Sequence, residues 1–432
     1  MPAFSVKILP LILFFCAAPA RGQSSVPAEG VVERVFSLED AQRLAQLNDP
    51  RILSAEQDTI IAAERVREAI YLFLPEFGLQ ASATKYESRY PFSLSEDFRN
   101  ILLFPSPSKN IYSSRGYTNF SLYEGGRHYN TLQLAQTAQK QASTNYESVK
   151  RDVLLATKEA FYRLILAQDK LAITQKNEDL LDAAMQNNAL NQWERVEAEA
   201  LLGDARAQTA EAQHELDTSK LAFLKSLNLE LDTAFRVVGT LKSESVNFDA
   251  EKASLWAMEL RPELQSETYK AQMDVISVNL ALGRRNPTIY LAGDYELTAQ
   301  RFPLRQNNWD MTVGIRIPFS YDYWSQIKQR KAEQRQGELK RAELQDRVRL
   351  EVRQAYENMQ YWQKEWPRRE SHYQKVKSLY AAASERASQD ALAKARAAIA
   401  LTRLHLSYLS AVTEHILSLA KLEWAVGRGL TR

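Results

Sequence analysis

Two hydrophobic periods divide the chain. From Thr288 to Phe319 apolar residues recur at every second position: Ile289, Leu291, Gly293, Tyr295 and Leu297 share one face, and Tyr290, Ala292, Asp294, Glu296 and Thr298 the other. This is the period of a strand with one apolar side. After a polar turn the alternation resumes, with Trp309, Met311, Val313, Ile315, Ile317 and Phe319 on one face and Asp310, Thr312, Gly314 and Arg316 opposite. The pair reads as a long antiparallel hairpin over about 288–319. Nearly everywhere else the period is helical, so this hairpin has no obvious core. Its apolar face needs lipid or another copy of the chain.

In chain order, Ser37-Leu38-Glu39-Asp40 places a carboxylate three residues after a serine, a capping-box arrangement that opens a helix. Asn48-Asp49-Pro50 restarts it, with Asp49 as N-cap and Pro50 in the first turn. Apolar spacing through Ile60, Ala63, Val66 and Ile70 ends at Pro75, which stops or kinks the helix. Beyond it Phe77, Leu79, Ala81 and Ala83 alternate with Gln80, Ser82 and Thr84, a strand again. The stretch 87–116, with Pro91, Pro105, Pro107 and several serines, reads as a loop, and Tyr117 to Tyr123 as a returning strand, giving a first hairpin over about 76–123. Gly125-Gly126 closes it.

From there to about Gln186 neither glycine nor proline occurs, and Tyr146, Val149, Val153, Ala156, Ala160, Leu164, Ala167 and Leu171 recur at three and four. The spacing predicts a helix of about 60 residues, on the order of 90 Å, which requires a coiled-coil partner. A reversal near Asn187, Asn188 and Asn191 leads into a return helix from about Trp193 to Leu227. At roughly 50 Å this covers little more than half of its partner, and the helix ending at Pro75 can cover the rest.

The plan then repeats. Laying Pro262 on Pro50 places Pro287 on Pro75, and Ile289 and Leu291 on Phe77 and Leu79; Pro318-Phe319-Ser320-Tyr321-Asp322 falls on Ser121-Leu122-Tyr123-Glu124-Gly125. An internal duplication is the simplest explanation, with a first repeat over 37–245 and a second over 246–432. A second long helix runs from about Ser325 to Ala382, and its return from about Asp390 to Val426. Pro367 interrupts the long helix, where a kink is expected.

The N-terminus carries Lys7, an apolar run from Ile8 to Ala18, and Ala18-Pro19-Ala20, so residues 1–20 read as a signal peptide, followed by a linker over 21–36. The run is too short to span a bilayer. Cys16 is the only cysteine and would leave with the leader. Lys plus Arg number 55 against 53 Asp plus Glu, a net charge of +2, which argues against nucleic acid as a main partner.

Catalytic chemistry finds little support. His128, His214, His372, His405 and His415 are scattered without metal-ligand spacing, and no cofactor motif is present. The acidic residues lie at helical surface spacing beside Lys and Arg, as solvated ion pairs do. Gly125-Gly126 lacks the Lys-Ser/Thr and βαβ context of a phosphate loop.

Each repeat supplies one hairpin, so one chain supplies four strands of about ten residues, the length of a tilted strand crossing a bilayer. Four strands cannot close, and an open sheet edge in lipid leaves backbone groups unsatisfied. Two copies would give eight strands filled by side chains; three would give twelve with room for a lumen. The inward residues are then Gln80, Ser82, Thr84, Asn119, Asp294, Glu296, Thr298, Asp310, Thr312 and Arg316. Tyr295, Trp309, Phe319, Tyr321, Tyr323 and Trp324 are candidates for interfacial girdles. One competing reading is a small soluble β-domain at one end of a coiled coil, whose four strands would have to bury two long apolar faces unaided; another is a periplasmic coiled-coil scaffold whose hairpins pair with another protein and conduct nothing.

Leu38-Glu39-Asp40-Ala41, Asn48-Asp49-Pro50, Leu122-Tyr123-Glu124-Gly125-Gly126, Arg261-Pro262-Glu263-Leu264 and the proline-closed helices, in this order, resemble the TolC-like outer membrane efflux protein family over about residues 37–430. The resemblance implies a mainly α protein with transmembrane β-strands: a homotrimer whose duplicated units form a 12-stranded outer-membrane barrel continuous with a periplasmic α-helical barrel. It implies a passive exit duct of a tripartite efflux or type I secretion system, docked by its helix-turn tips on a periplasmic adaptor and an inner-membrane transporter. The family's tips usually carry Tyr, two residues, Gly, a small polar residue and then an acid. Here the second tip has Tyr380, Ala383 in place of the glycine, Ser384, and Gln389-Asp390 near the acid, while the first offers Asn187, Asn188, Asn191 and Glu194. Asp390 is either part of an acidic ring at the periplasmic entrance or an ordinary helix N-terminal aspartate. On this reading Val313→Lys or Ile315→Lys should impair membrane assembly, whereas Thr312→Lys should assemble and alter ion selectivity. Equal assembly of both classes, scored by membrane fractionation, would contradict the assignment of faces.

Overall fold

The computed structural model describes residues 34–85, 110–185, 191–299, 301–385 and 391–429. The stretch read as a leader, the prolines at 91, 105 and 107, and Asn187, Asn188 and Asp390, read as turn residues, lie outside the described residues. The chain opens with β1 (Arg34–Phe36), α1 (Leu38–Asn48), α2 (Pro50–Tyr71), β2 (Glu76–Lys85), β3 (Asn110–Glu124), α3 (Arg127–Met185) and α4 (Gln192–Ser226). It continues through β4 (Phe235–Val237), α5 (Ala250–Leu260), α6 (Pro262–Gly283), β5 (Thr288–Ala299), β6 (Gln306–Arg316), α7 (Asp322–Glu385) and α8 (Ala391–Val426). Helix, helix, hairpin, long helix and return helix thus occur twice, with matching lengths: 11 and 22 residues precede each hairpin.

The helix starts follow their capping chemistry. Ser37 accepts from the Asp40 backbone N–H at 3.2 Å, while its own hydroxyl donates to Asp40 Oδ2 at 2.7 Å, so the carboxylate takes the serine hydroxyl. Asp49 accepts from the Arg51 N–H at 2.8 Å, ahead of Pro50 at the first helical position. In the second half Arg261 replaces Asp49 and makes no side-chain cap; its guanidinium turns to Glu351 at 2.7 Å and Glu263 at 3.2 Å. Burial alone would raise the Glu263 carboxyl, but hydrogen bonding and charge from Arg261 hold it below its ordinary value.

Each long helix is covered by two shorter ones end to end. Near the start of α3 the His128 ring meets Phe73, just past α2, and further along Lys170 and Asp182 pair with Glu215 and Arg206 of α4. On α7, Glu351 meets Arg261 at the head of α6, and Tyr373 stacks on His405 of α8 with centroids 4.5 Å apart. α7 runs through Pro367 as a single helix.

Two equivalent cores mark a waist. In the first, Phe36, Ala41, Ile52, Phe161, Phe223 and Val237 pack together; in the second, Ala253, Leu264, Val352, Met359 and Leu422. Trp424 joins the halves: its Nε1 donates to Asp152 at 2.7 Å, its carbonyl accepts from Arg151 at 2.8 Å, and the Arg261 guanidinium lies 4.7 Å over its ring. Gly125, at φ +64°, is wedged against the end of α6, where a Cβ would collide with the Gly283 carbonyl and Asn286.

The structure departs from the sequence reading in three places. Residues 34–36, read as linker, form β1 and pair in parallel with β4, carrying Phe36 and Val237 into the core. The loop expected to reach 116 is strand from 110 onward, because Asn110 to Gly116 pair with β2 on one side and, from Tyr112, with β5 on the other. The last strand stops at Arg316, short of Phe319, since Pro318 has no N–H to give.

On α8, His415 is fully buried: Ser243 Oγ meets its Nδ1, its Nε2 has no partner among the described residues, and burial pushes its pKa down. Below about pH 6.5 the unfolded chain takes up a proton that the folded chain refuses. Stability should therefore fall on acidification from pH 7.5 to 5.5, by at most about 1.4 kcal/mol per pH unit from this group. Thermal melting of His415→Gln should show a shallower pH slope over that range; an equal slope would contradict the role.

Candidate functional site

The four long strands form one antiparallel sheet in the order β2-β3-β5-β6. Directly paired residues share a face, so the register assigns both sides. On one side lie the rows Glu76·Asn119·Ala292·Thr312, Gly78·Tyr117·Asp294·Asp310, Gln80·Arg115·Glu296·Asn308 and Ser82·Ser113·Thr298·Gln306. On the other lie Phe77·Thr118·Gly293·Met311 and Leu79·Gly116·Tyr295·Trp309, with Leu291·Val313 and Ile289·Ile315 nearer the helices. This second side is open: Leu79 is 92% exposed, Trp309 72% and Val313 68%. β2 and β6 are the edges, and each is paired on one side only among the described residues.

The register brings the expected inward residues Asp294, Glu296, Thr298, Asp310 and Thr312 onto the polar side together with Gln80, Ser82, Thr84 and Asn119, and Arg316 sits across from Thr288 at its lower end. Arg115 supplies a cation that sequence reasoning missed. It pairs with Asp294 and lies opposite Glu296, whose carboxylate accepts from Ser113 Oγ at 2.6 Å. Asp294 thus pairs with the guanidinium, Glu296 lies opposite it, and Asp310 stands one strand further on, across from Asp294. Extending the two-residue period of Tyr117 backwards would have found Arg115; the serines and the proline-rich approach concealed it.

Aromatic residues mark two levels. Tyr295 and Trp309 are cross-strand partners, and seven residues of strand, about 23 Å, separate Trp309 from Arg316, beyond which Phe319, Tyr321 and Trp324 are exposed. The Arg285 guanidinium lies 5.4 Å over the Trp324 ring. Among the described residues no helix is long and apolar enough to cross a membrane, and no group of three or more His, Cys, Asp or Glu could hold a metal ion.

At the far end the two helical hairpins approach each other. Arg396 of α8 pairs with Glu197 of α4, Thr402 donates to Asn177 at 2.8 Å, and Leu181, Leu202, Ala205 and Ala395 form a small buried cluster. Asn191 caps α4 in a reciprocal capping box with Glu194, at 2.9 and 2.8 Å. Ala383 and Ser384 are exposed in the last turn of α7, and Trp193, 82% exposed, stands at the start of α4.

Residues 42–229 match the family described as outer membrane efflux protein. That stretch of the chain is similar to the family. The fold of the whole chain is similar to that of solved outer-membrane proteins at low identity. The Campylobacter jejuni CmeC outer membrane channel superposes with a TM-score of 0.76 at 16% identity, covering 91% of this chain and 86% of that one. The open state of the Neisseria gonorrhoeae MtrE outer membrane channel gives 0.74 at 16% identity, with 91% and 90% covered. The outer membrane protein VceC from Vibrio cholerae gives 0.71 at 15% identity, with 91% and 97% covered. No curated protein matches by sequence. These likenesses in fold span both halves of the chain.

Proposed function

We propose that three copies of the chain close their sheets into a 12-stranded barrel in the outer membrane, and that their helices continue it as a periplasmic tube. The observation that carries this reading is the sheet itself, with one polar face, one exposed apolar face and two edges awaiting partners. Closing edge to edge satisfies the backbone, turns the apolar face to lipid, and leaves Asp294, Glu296, Thr298, Asp310, Thr312 and Arg316 lining water. Phe319, Tyr321 and Trp324 then sit at one interface.

The duct is passive, and solute reaches it from an inner-membrane transporter through a periplasmic adaptor docked at the tips near Asn187, Asn188, Asn191, Ala383, Ser384 and Asp390. CmeC and MtrE, described as outer membrane channels, share this fold and support the assignment, and a non-conducting scaffold is not favoured. Once a leader over 1–20 is removed, repeats over 37–245 and 246–432 make up the mature architecture.

In planar bilayers the purified protein should form trimeric conducting pores. A chain that stays soluble without detergent and never conducts would contradict the duct. Arg115→Ala removes the cation that pairs Asp294, so in a KCl gradient its reversal potential should move toward that of potassium; an unchanged value would place Arg115 away from the lumen.

A further inference from the structure

Two glycines on the polar side of the sheet lie beneath phenol rings. Gly78 on β2 is the direct partner of Tyr117 on β3, and Gly314 on β6 is the direct partner of Tyr290 on β5. A Cβ on either glycine would collide with the Cε1, Cζ and hydroxyl oxygen of the facing tyrosine. Each ring is therefore laid over the glycine Cα, in the space that any other residue would fill. Strand side chains ordinarily stand away from the sheet. The Arg316 guanidinium lies 5.8 Å over the Tyr290 ring, adding a cation to the exposed side of one pair.

The duplication sharpens the point. Three residues after Pro75 stands Gly78, and three after Pro287 stands Tyr290; four before Ser121 stands Tyr117, and four before the equivalent Pro318 stands Gly314. The same cross-strand pair occurs in both hairpins with its members exchanged. One small and one large residue are kept together, whichever strand carries which. The pairs lie four residues apart along β5, about 13 Å, so three copies would set six rings at two levels of the wall.

We propose that the Gly78·Tyr117 and Gly314·Tyr290 pairs set the free bore of the conduit, and with it the size of hydrated solute that passes, because each glycine gives its ring a recess in the wall. The inference rests on the polar face being the inner wall, as proposed above. A ring over glycine also braces a sheet, and the test separates bracing from bore.

Single-channel conductance and exclusion of polyethylene glycols of graded size are measured in planar bilayers for the full chain, Gly78→Ala/Gly314→Ala, Tyr117→Ala/Tyr290→Ala, and the variant with all four changes. The glycine variant should lose conductance and exclude smaller polymers, since its rings must swing into the lumen. The fourfold variant should regain at least the conductance of the unaltered chain, and the tyrosine variant should lose none. Glycine-variant pores equal in conductance and cut-off to those of the unaltered chain would overturn the proposal, even if removing the rings lowered thermal stability. Should the glycine variant not assemble, the same steric cause requires the fourfold variant to assemble; failure of the fourfold variant where the tyrosine variant succeeds would overturn it equally. Absence of pores from the unaltered chain would instead overturn the conduit reading, a separate and recognisable result.

Discussion

The pairing requirement of two sheet edges governs everything else in this molecule. β2 and β6 each pair on one side only among the described residues. In lipid an unsatisfied backbone N–H or C=O costs several kcal/mol, so a sheet of this kind is stable there only when its edges find each other. Within one chain they cannot, because four strands do not close. The exposed apolar residues on one face and the charged residues near Arg115 on the other fit a wall between lipid and water, so on the proposed reading closure by three copies is a condition of folding as much as of transport.

The helical part answers a related problem of length. A 59-residue and a 64-residue helix cannot each be matched by one return helix of about 35 residues. Stacking α2 above α4, and α6 above α8, fills the seam, and the joints between stacked helices fall at the waist. There the two halves differ. The first uses the Asp49 cap and the β1·β4 pair, whereas the second turns Arg261 inward to Glu351 and over Trp424. The asymmetry locks α8 against α3 through Asp152 and Arg151, so the chain's two halves share one polar centre beside the buried Arg261. That centre lies away from both the sheet and the tips.

Much of this was legible before any coordinates. Strong periods over long segments placed α3, α4, α7 and α8 within a few residues, and the prolines at 50, 75, 262 and 287 exposed the duplication. The polar-face set of the second hairpin followed from a period of two, because a register slip by one residue would have moved every apolar side chain to the other face. What escaped was carried by short or polar segments. β1 and β4 have three residues each, too few for a period to show. The first seven residues of β3 offer serines, a glycine and an arginine, whose strand character comes from neighbours on both sides and not from their own pattern. The glycine and tyrosine pairs could be recognised only once register had set them opposite each other, since they stand 39 and 24 residues apart in sequence.

The most direct test of edge closure uses disulfide cross-linking between copies. Cys16 is the only cysteine, in the stretch read as leader, so the mature chain offers a thiol-free background. A cysteine at Ala81 on β2 would be combined with a second one walked along β6 from Asn308 to Gly314, and membranes oxidised before denaturing electrophoresis. The account predicts covalent dimers and trimers, no larger species, at one register and its immediate neighbours along the strand. Chains that remain monomeric at every position, or that form ladders beyond the trimer, would contradict it.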